Sequence, residues 1–251
     1  MAAALSVAGQ ASTVHAYGPG GPAPAMKEAA AAFKARTGVD VVVSAGPTPQ
    51  WIDAARGDAD VMFSGAENMM TDFVKAMNGA IDEQTIDPLY LRASNILVRP
   101  GNPCHVRGLG DLLRPGLKIM VVQGAGQTGL WEDMAGRTGD IATVRALRGN
   151  IVRFAGSSAE AKQAWASDPS IDAWIIWGIW AKANPGIADS VAVEPQYRIY
   201  RDAGVVLTKT GDKNPDAVRF VTFLKSRQGA AIFRKWGWIA SAAASTKQSS
   251  H

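Results

Sequence analysis

Apolar residues recur along the chain in two alternating rhythms. Short runs such as "TVHAY" (13–17), "VDVVVSA" (39–45), "DADVMFS" (58–64), "LKIMVVQ" (117–123) and "SIDAWIIW" (170–177) read as strands. "VDVVVSA" is rich in β-branched residues, which suits a buried parallel strand. Between these runs the spacing changes to that of a helix. After "TVHAY" the segment "APAMKEAAAAFKARTG" sets Met26, Ala29, Ala30 and Phe33 on one face, with Lys27, Glu28, Lys34 and Arg36 elsewhere on the wheel. Gly38 is its stop signal. A short helix is predicted from Trp51, another after "GAEN", and a third over "LWEDMAGR". Strand, loop and helix repeated in this order predict an α/β fold with mostly parallel sheets.

In such folds the strand-to-helix loops gather at the carboxyl edge of the sheet, where ligands bind. Four of these loops share a composition: "GPGGP", "GPTPQ", "SGAEN" and "GAGQTG". They are rich in small residues, and Glu67 is their one ionisable side chain. Each offers backbone N–H groups at a helix start, a setting that favours negative charge. The glycines of "YGPGG" (17–21) admit two readings, a tight turn or a close approach to a bound anion. "GAGQTG" also spells the dinucleotide fingerprint through Gly124, Gly126 and Gly129. That motif needs an acidic residue at the end of the next strand, and 141–159 contains no Asp or Glu before position 160. An NAD(P)-dependent oxidoreductase therefore stands as the second reading.

Composition narrows the classes further. The 251 residues are 47% hydrophobic and 19% charged, with a net charge of +4. Lys and Arg are scattered singly, unlike the clustered basic face of a nucleic-acid binder. The single Cys104 excludes an intrachain disulfide, and His15, His105 and His251 have no metal-ligand spacing. No nucleophile elbow appears, so the chain is read as a non-enzyme that needs no cofactor. The small apolar N-terminus "MAAALSVAGQA" reads as the remnant of a signal peptide over 1–11. No other stretch is long enough to span a membrane; "AWIIWGIWAKA" (173–183) is the most apolar.

The segments "YGPGGP", "SAGPTPQW", "DADVMFSGAE", "LRASNILVRPGNP", "GAGQTGLWEDMAGR", "NIVRFAGSSAEA", "IDAWIIWGIW", "YRIYRDAGVVLT" and "FVTFLKSRQGAAIFRKWGW" resemble the accessory colonization factor C family. That family belongs to the type II periplasmic solute-binding proteins, with the molybdate and sulfate binders. The resemblance implies two mixed sheets flanked by helices, arranged as two lobes joined by two crossing strands. The crossings fall at 91–99 and 197–205. Lobe 1 is expected to hold 12–92 and 203–251, and lobe 2 to hold 93–202. The implied function is capture of a small anion, an oxyanion or a carboxylate, by a periplasmic monomer. An ABC transporter is the implied recipient, and the family name adds a colonization or adhesion role as a third reading.

The resemblance also carries site residues. Gly20 and Gly21 match the loop after the first strand, Ser64 and Gly65 the loop after the third. Thr48 and Trp51 follow the second strand. Gln127, Thr128 and Gly129 open a helix at the crevice on the other lobe. "IDAWIIW" matches a segment whose last residue is a ligand-binding tyrosine in molybdate binders; here it is Trp177, whose indole N–H donates and cannot accept. That exchange hints at a ligand other than molybdate, partly organic. Arg92 and Arg201 lie on the expected crossings, either one able to pair with an oxyanion.

Overall fold

The computed structural model describes residues 13–240. The segment read as a signal-peptide remnant lies outside the described residues. Strand β1 (Val14–Gly18) leads into helix α1 (Ala23–Thr37). Strand β2 (Val41–Ala45) leads through a 3-10 turn (Thr48–Gln50) into α2 (Ile52–Asp58), and β3 (Val61–Phe63) into α3 (Glu67–Ala76). The long strand β4 (Asp87–Val98) and the short α4 (Leu109–Leu112) follow. Next come β5 (Ile119–Val122), α5 (Leu130–Gly136), α6 (Ile141–Asn150), β6 (Ile151–Ala155), α7 (Ser158–Ser167) and β7 (Ala173–Trp177). The described chain closes with α8 (Ile179–Ala183), β8 (Asp189–Ala192), β9 (Tyr200–Leu207), α9 (Pro215–Leu224) and α10 (Arg227–Lys235).

The helical spacing read in α1 holds. Ala25, Met26, Ala29, Ala30 and Phe33 are its buried residues, and Gly38 closes it at a left-handed φ of 76° with its N–H on the Lys34 carbonyl. Phe33 packs on Phe220 and Phe223 of α9, which ties the start of the chain to its end.

Strands β1, β2 and β3 are parallel, as are β5, β6 and β7. Two antiparallel strands join these groups. Strand β4 pairs with β9 from Asp87 to Ala93, then with β7 from Ser94 to Val98. Strand β9 continues onto β3 through Val205, Val206 and Leu207. The architecture is thus mixed α/β, the two parallel groups linked through β4 and β9 in the order β2-β1-β3-β9-β4-β7-β5-β6, with β8 beside β4. The expectation for β2 needs correcting. It is parallel to β1, but it lies at the sheet edge and is not buried; Val42 is 45% exposed. A β-branched run marks a strand without telling whether a neighbour covers it. The all-apolar "AWIIW" of β7 is buried at every residue, as expected of a strand covered on both faces.

Candidate ligand site at the carboxyl ends of the strands

A cavity of about 420 Å³ opens where the strand-to-helix loops meet. The loops after β1, β2 and β3 supply Gly20 and Gly21, Thr48, and Gly65. The loop after β5 supplies Gly124, Gly126 and Gln127. The four Gly-rich loops singled out in the sequence therefore do converge. A fifth joins them: Gly156, Ser157, Ser158 and Ala159, after β6. Met69 of α3 and Trp180 of α8 complete the apolar part of the wall with Pro19, Pro22, Pro47 and Pro49.

Arg92, on β4, is the one ionisable side chain among the described residues lining this cavity. It is only 4% exposed. Its Nη2 donates to the Gly126 carbonyl at 3.2 Å, and its Nε is buried without a hydrogen-bond partner. The guanidinium lies 4.5 Å from the centre of the Trp177 ring and 5.9 Å from that of Trp238. Both are cation–π contacts, favourable but non-ionic. Among the described residues no carboxylate forms an ion pair with it. Burial pushes its pKa down to about 9, partly offset by the charge of Asp202. A cation at such a site remains charged at neutral pH and bears a desolvation penalty that its neighbours offset only in part.

The glycines make room for this head group. A Cβ on Gly65 would stand 3.1 Å from Arg92 Nη2, one on Gly21 3.4 Å from Nη1, and one on Gly126 2.6 Å from Nη2. Two further glycines let backbones touch. A Cβ on Gly18 would meet the Phe63 carbonyl at 2.3 Å, and one on Gly124 the Gly156 carbonyl at 2.0 Å. Gly124 and Gly126 of the apparent dinucleotide fingerprint are thus accounted for by neighbouring protein atoms. Gly129, the third, caps α5 at a left-handed φ of 73°.

Helices α1, α3 and α7 begin at the cavity, each preceded by lining residues. Neither α1 nor α3 has a side-chain cap. On α7, Ser157 caps by accepting the Glu160 N–H at 3.1 Å, while Glu160 accepts the Gly156 N–H at 2.8 Å. The positive ends of these helices add to the potential set by Arg92.

Of the residues expected from the sequence, Gly20, Gly21, Thr48, Gly65, Arg92 and Gln127 line the cavity. Trp51, Ser64, Thr128, Gly129, Trp177 and Arg201 do not. Trp51 is buried against Tyr17 and Phe73, its indole N–H on the Gly46 carbonyl at 3.1 Å. Ser64 is fully buried and accepts the Gly204 N–H. Thr128 is exposed, one step past the residue that faces inward. Trp177 lies behind Arg92, donating to the same Gly126 carbonyl at 3.0 Å. Arg201 pairs with Asp133 of α5 outside the cavity. The serines of the fifth loop are not among the residues expected from the sequence, although "SSAE" spells a capping signal: Ser157 with Glu160 three residues on.

Residues 14–239 match the family model of bacterial extracellular solute-binding proteins. The chain belongs to that family. Peb3 from Campylobacter jejuni is 36% identical, with a TM-score of 0.84 over 90% of this chain and 99% of its own. PEB3 with L-phospholactate bound is 37% identical, with a TM-score of 0.85 and the same coverage. The sulfate-binding protein SubI from Mycobacterium tuberculosis H37Rv, 21% identical, covers 92% of this chain and 88% of its own with a TM-score of 0.76, a likeness of fold. No curated protein matches. As a solute-binding protein the chain agrees with the resemblance drawn from its motifs. No helix among the described residues is long and apolar enough to cross a membrane.

Proposed function

We propose that this solute-binding protein captures a small organic anion, a carboxylate or phosphate ester, in the cavity at Arg92. The observation that carries the reading is the buried guanidinium with no carboxylate in ion-pair contact among the described residues, Asp202 offsetting its burial only in part. An anion in the cavity supplies the missing ion-pair contact, and loop N–H groups, Thr48, Ser157 and Ser158 supply hydrogen bonds. An organic body fits the rest of the wall, which is proline, Met69 and Trp180. The cavity volume lies in the range of small-molecule sites, about 300–1,000 Å³. The related PEB3 with L-phospholactate bound supports an organic phosphate over a bare oxyanion.

The cavity walls come from residues before Arg92 and from residues 124–180, which supports two lobes, 12–92 with 203–251 and 93–202, closing about β4 and β9. Binding without chemistry is the reading for the site itself, since among the described residues no second ionisable group lines the cavity to act as general acid or base. The family supports work in the periplasm and delivery of the ligand to an ABC transporter, and the chain is proposed to act as a monomer.

Titration calorimetry with L-phospholactate, sulfate and molybdate tests the reading. Saturable binding of L-phospholactate that disappears in Arg92→Met is expected. Equal binding by wild type and Arg92→Met would remove Arg92 from the site, and tighter binding of molybdate would overturn the organic ligand.

A further inference from the structure

Gln127 is buried at 5% exposure, and its Nε2 donates to the Ser158 hydroxyl oxygen at 2.5 Å. The two residues come from neighbouring loops, after β5 and after β6, and both line the cavity. We propose that they form a donor-setting pair, in which Gln127 holds the Ser158 hydroxyl with its proton toward the ligand. The proposal rests on the anion reading of this cavity and deepens it: the pair makes the site selective for ligand oxygen that can only accept.

A serine hydroxyl has one proton and two lone pairs. The amide N–H of Gln127 takes a lone pair of Ser158, so the proton must turn elsewhere. Among the described residues no hydrogen bond is donated by Ser158. The open direction is the cavity. Ser157 next to it is set in the same sense, because its oxygen accepts the Glu160 N–H at 3.1 Å. Both serines thus accept from the protein and keep a proton for the ligand.

The opposite orientation of the amide would reverse this. With its carbonyl toward Ser158, Gln127 would take the proton, and Ser158 would turn lone pairs toward an anion. In the orientation present, the Gln127 Oε1 is buried without a partner. An unpaired buried acceptor is unfavourable by itself. The orientation present is the one that leaves the Ser158 proton free for the ligand.

The test uses the full chain and L-phospholactate, with Ser158→Ala, Gln127→Leu, Gln127→Glu and the Gln127→Leu/Ser158→Ala double variant. Ser158→Ala and Gln127→Leu should each weaken binding about tenfold or more, the worth of a hydrogen bond to a charged group. Gln127→Glu, which has no N–H to give and takes the serine proton, should lose more than Gln127→Leu. The double variant should bind no worse than Ser158→Ala, because Gln127 acts through Ser158. Additive losses would overturn the pair and leave Gln127 a packing residue. A ligand-free measurement stands beside these. The side-chain amide resonances of Gln127 should move in Ser158→Ala, and unchanged resonances overturn the pair whatever the ligand is. If wild type binds none of L-phospholactate, inorganic phosphate and sulfate, it is the anion reading that fails, and the amide resonances alone decide the pair.

Discussion

Arg92 concentrates the conflict between stability and binding in a single residue. Its guanidinium is buried, stacked on Trp177, and lacks a carboxylate partner. Removing a buried charge of this kind relieves a desolvation penalty. Arg92→Met should therefore abolish anion binding without lowering the melting temperature of the ligand-free protein. Calorimetry and a thermal melt on the same sample check both halves; a large drop in melting temperature would make Arg92 a structural residue. The glycines divide in the same way. A Cβ on Gly20 meets nothing within 4 Å, so Gly20→Ala should fold as wild type. A Cβ on Gly124 is driven into the Gly156 carbonyl at 2.0 Å. Gly124→Ala should cost about 1–3 kcal/mol by overpacking and should separate the loops that hold Gln127 and Ser158. Denaturant melts of the two variants distinguish them.

At the scale of elements, the fifth loop depends on how α7 starts. Ser157 is both its N-cap and part of the cavity wall. Ser157→Ala should destabilise the protein by about 0.5–2 kcal/mol, the usual worth of a cap. It should also weaken binding, because a donor is lost with the cap. Ser157→Asp restores capping but places a carboxylate against the ligand, so it should recover stability and lose binding further. Recovery of both would show that Ser157 serves the helix alone. The edge position of β2 shows the reverse dependence: its β-branched sequence makes a strand, and its exposure follows from having β1 as its one sheet neighbour.

For the whole molecule, the proposed consequence of a cavity built from both parallel groups is closure on the ligand. Binding should shift the population toward a compact form, seen as a smaller radius of gyration in solution scattering. Tryptophan fluorescence should report it too. Trp51, Trp131 and Trp177 are all at most 8% exposed, too buried to report it. Trp180 instead is half-buried and lines the cavity. The ligand-induced change should vanish in Trp180→Phe and persist in Trp131→Phe. Ligand at 100 times its dissociation constant should also add about 2.7 kcal/mol to the native state, and a stabilising ligand that leaves the scattering unchanged would rule closure out.

Much of this protein was legible in the chain itself. Periodicity marked β1, α1, β3, β5 and β7, because hydrophobic spacing is a local property that survives in any tertiary setting. Small loops after β1, β2, β3 and β5, with Glu67 their one ionisable residue, pointed to an anion site, because a helix start needs only its own backbone to attract negative charge. Tertiary structure decided the rest, because it depends on residues distant in sequence. Whether β2 was buried turned on its neighbours. Whether Arg92 or Arg201 lined the cavity depended on distant partners, among them Asp133, 68 positions from Arg201, which pairs with it outside the cavity. Thr128 and Gln127 are adjacent in sequence, and only the path of the turn shows that Gln127 points inward. The bond from Gln127 to Ser158 spans 31 residues and joins two loops, so no local pattern encodes it. It exists because β5 and β6 lie side by side in the sheet.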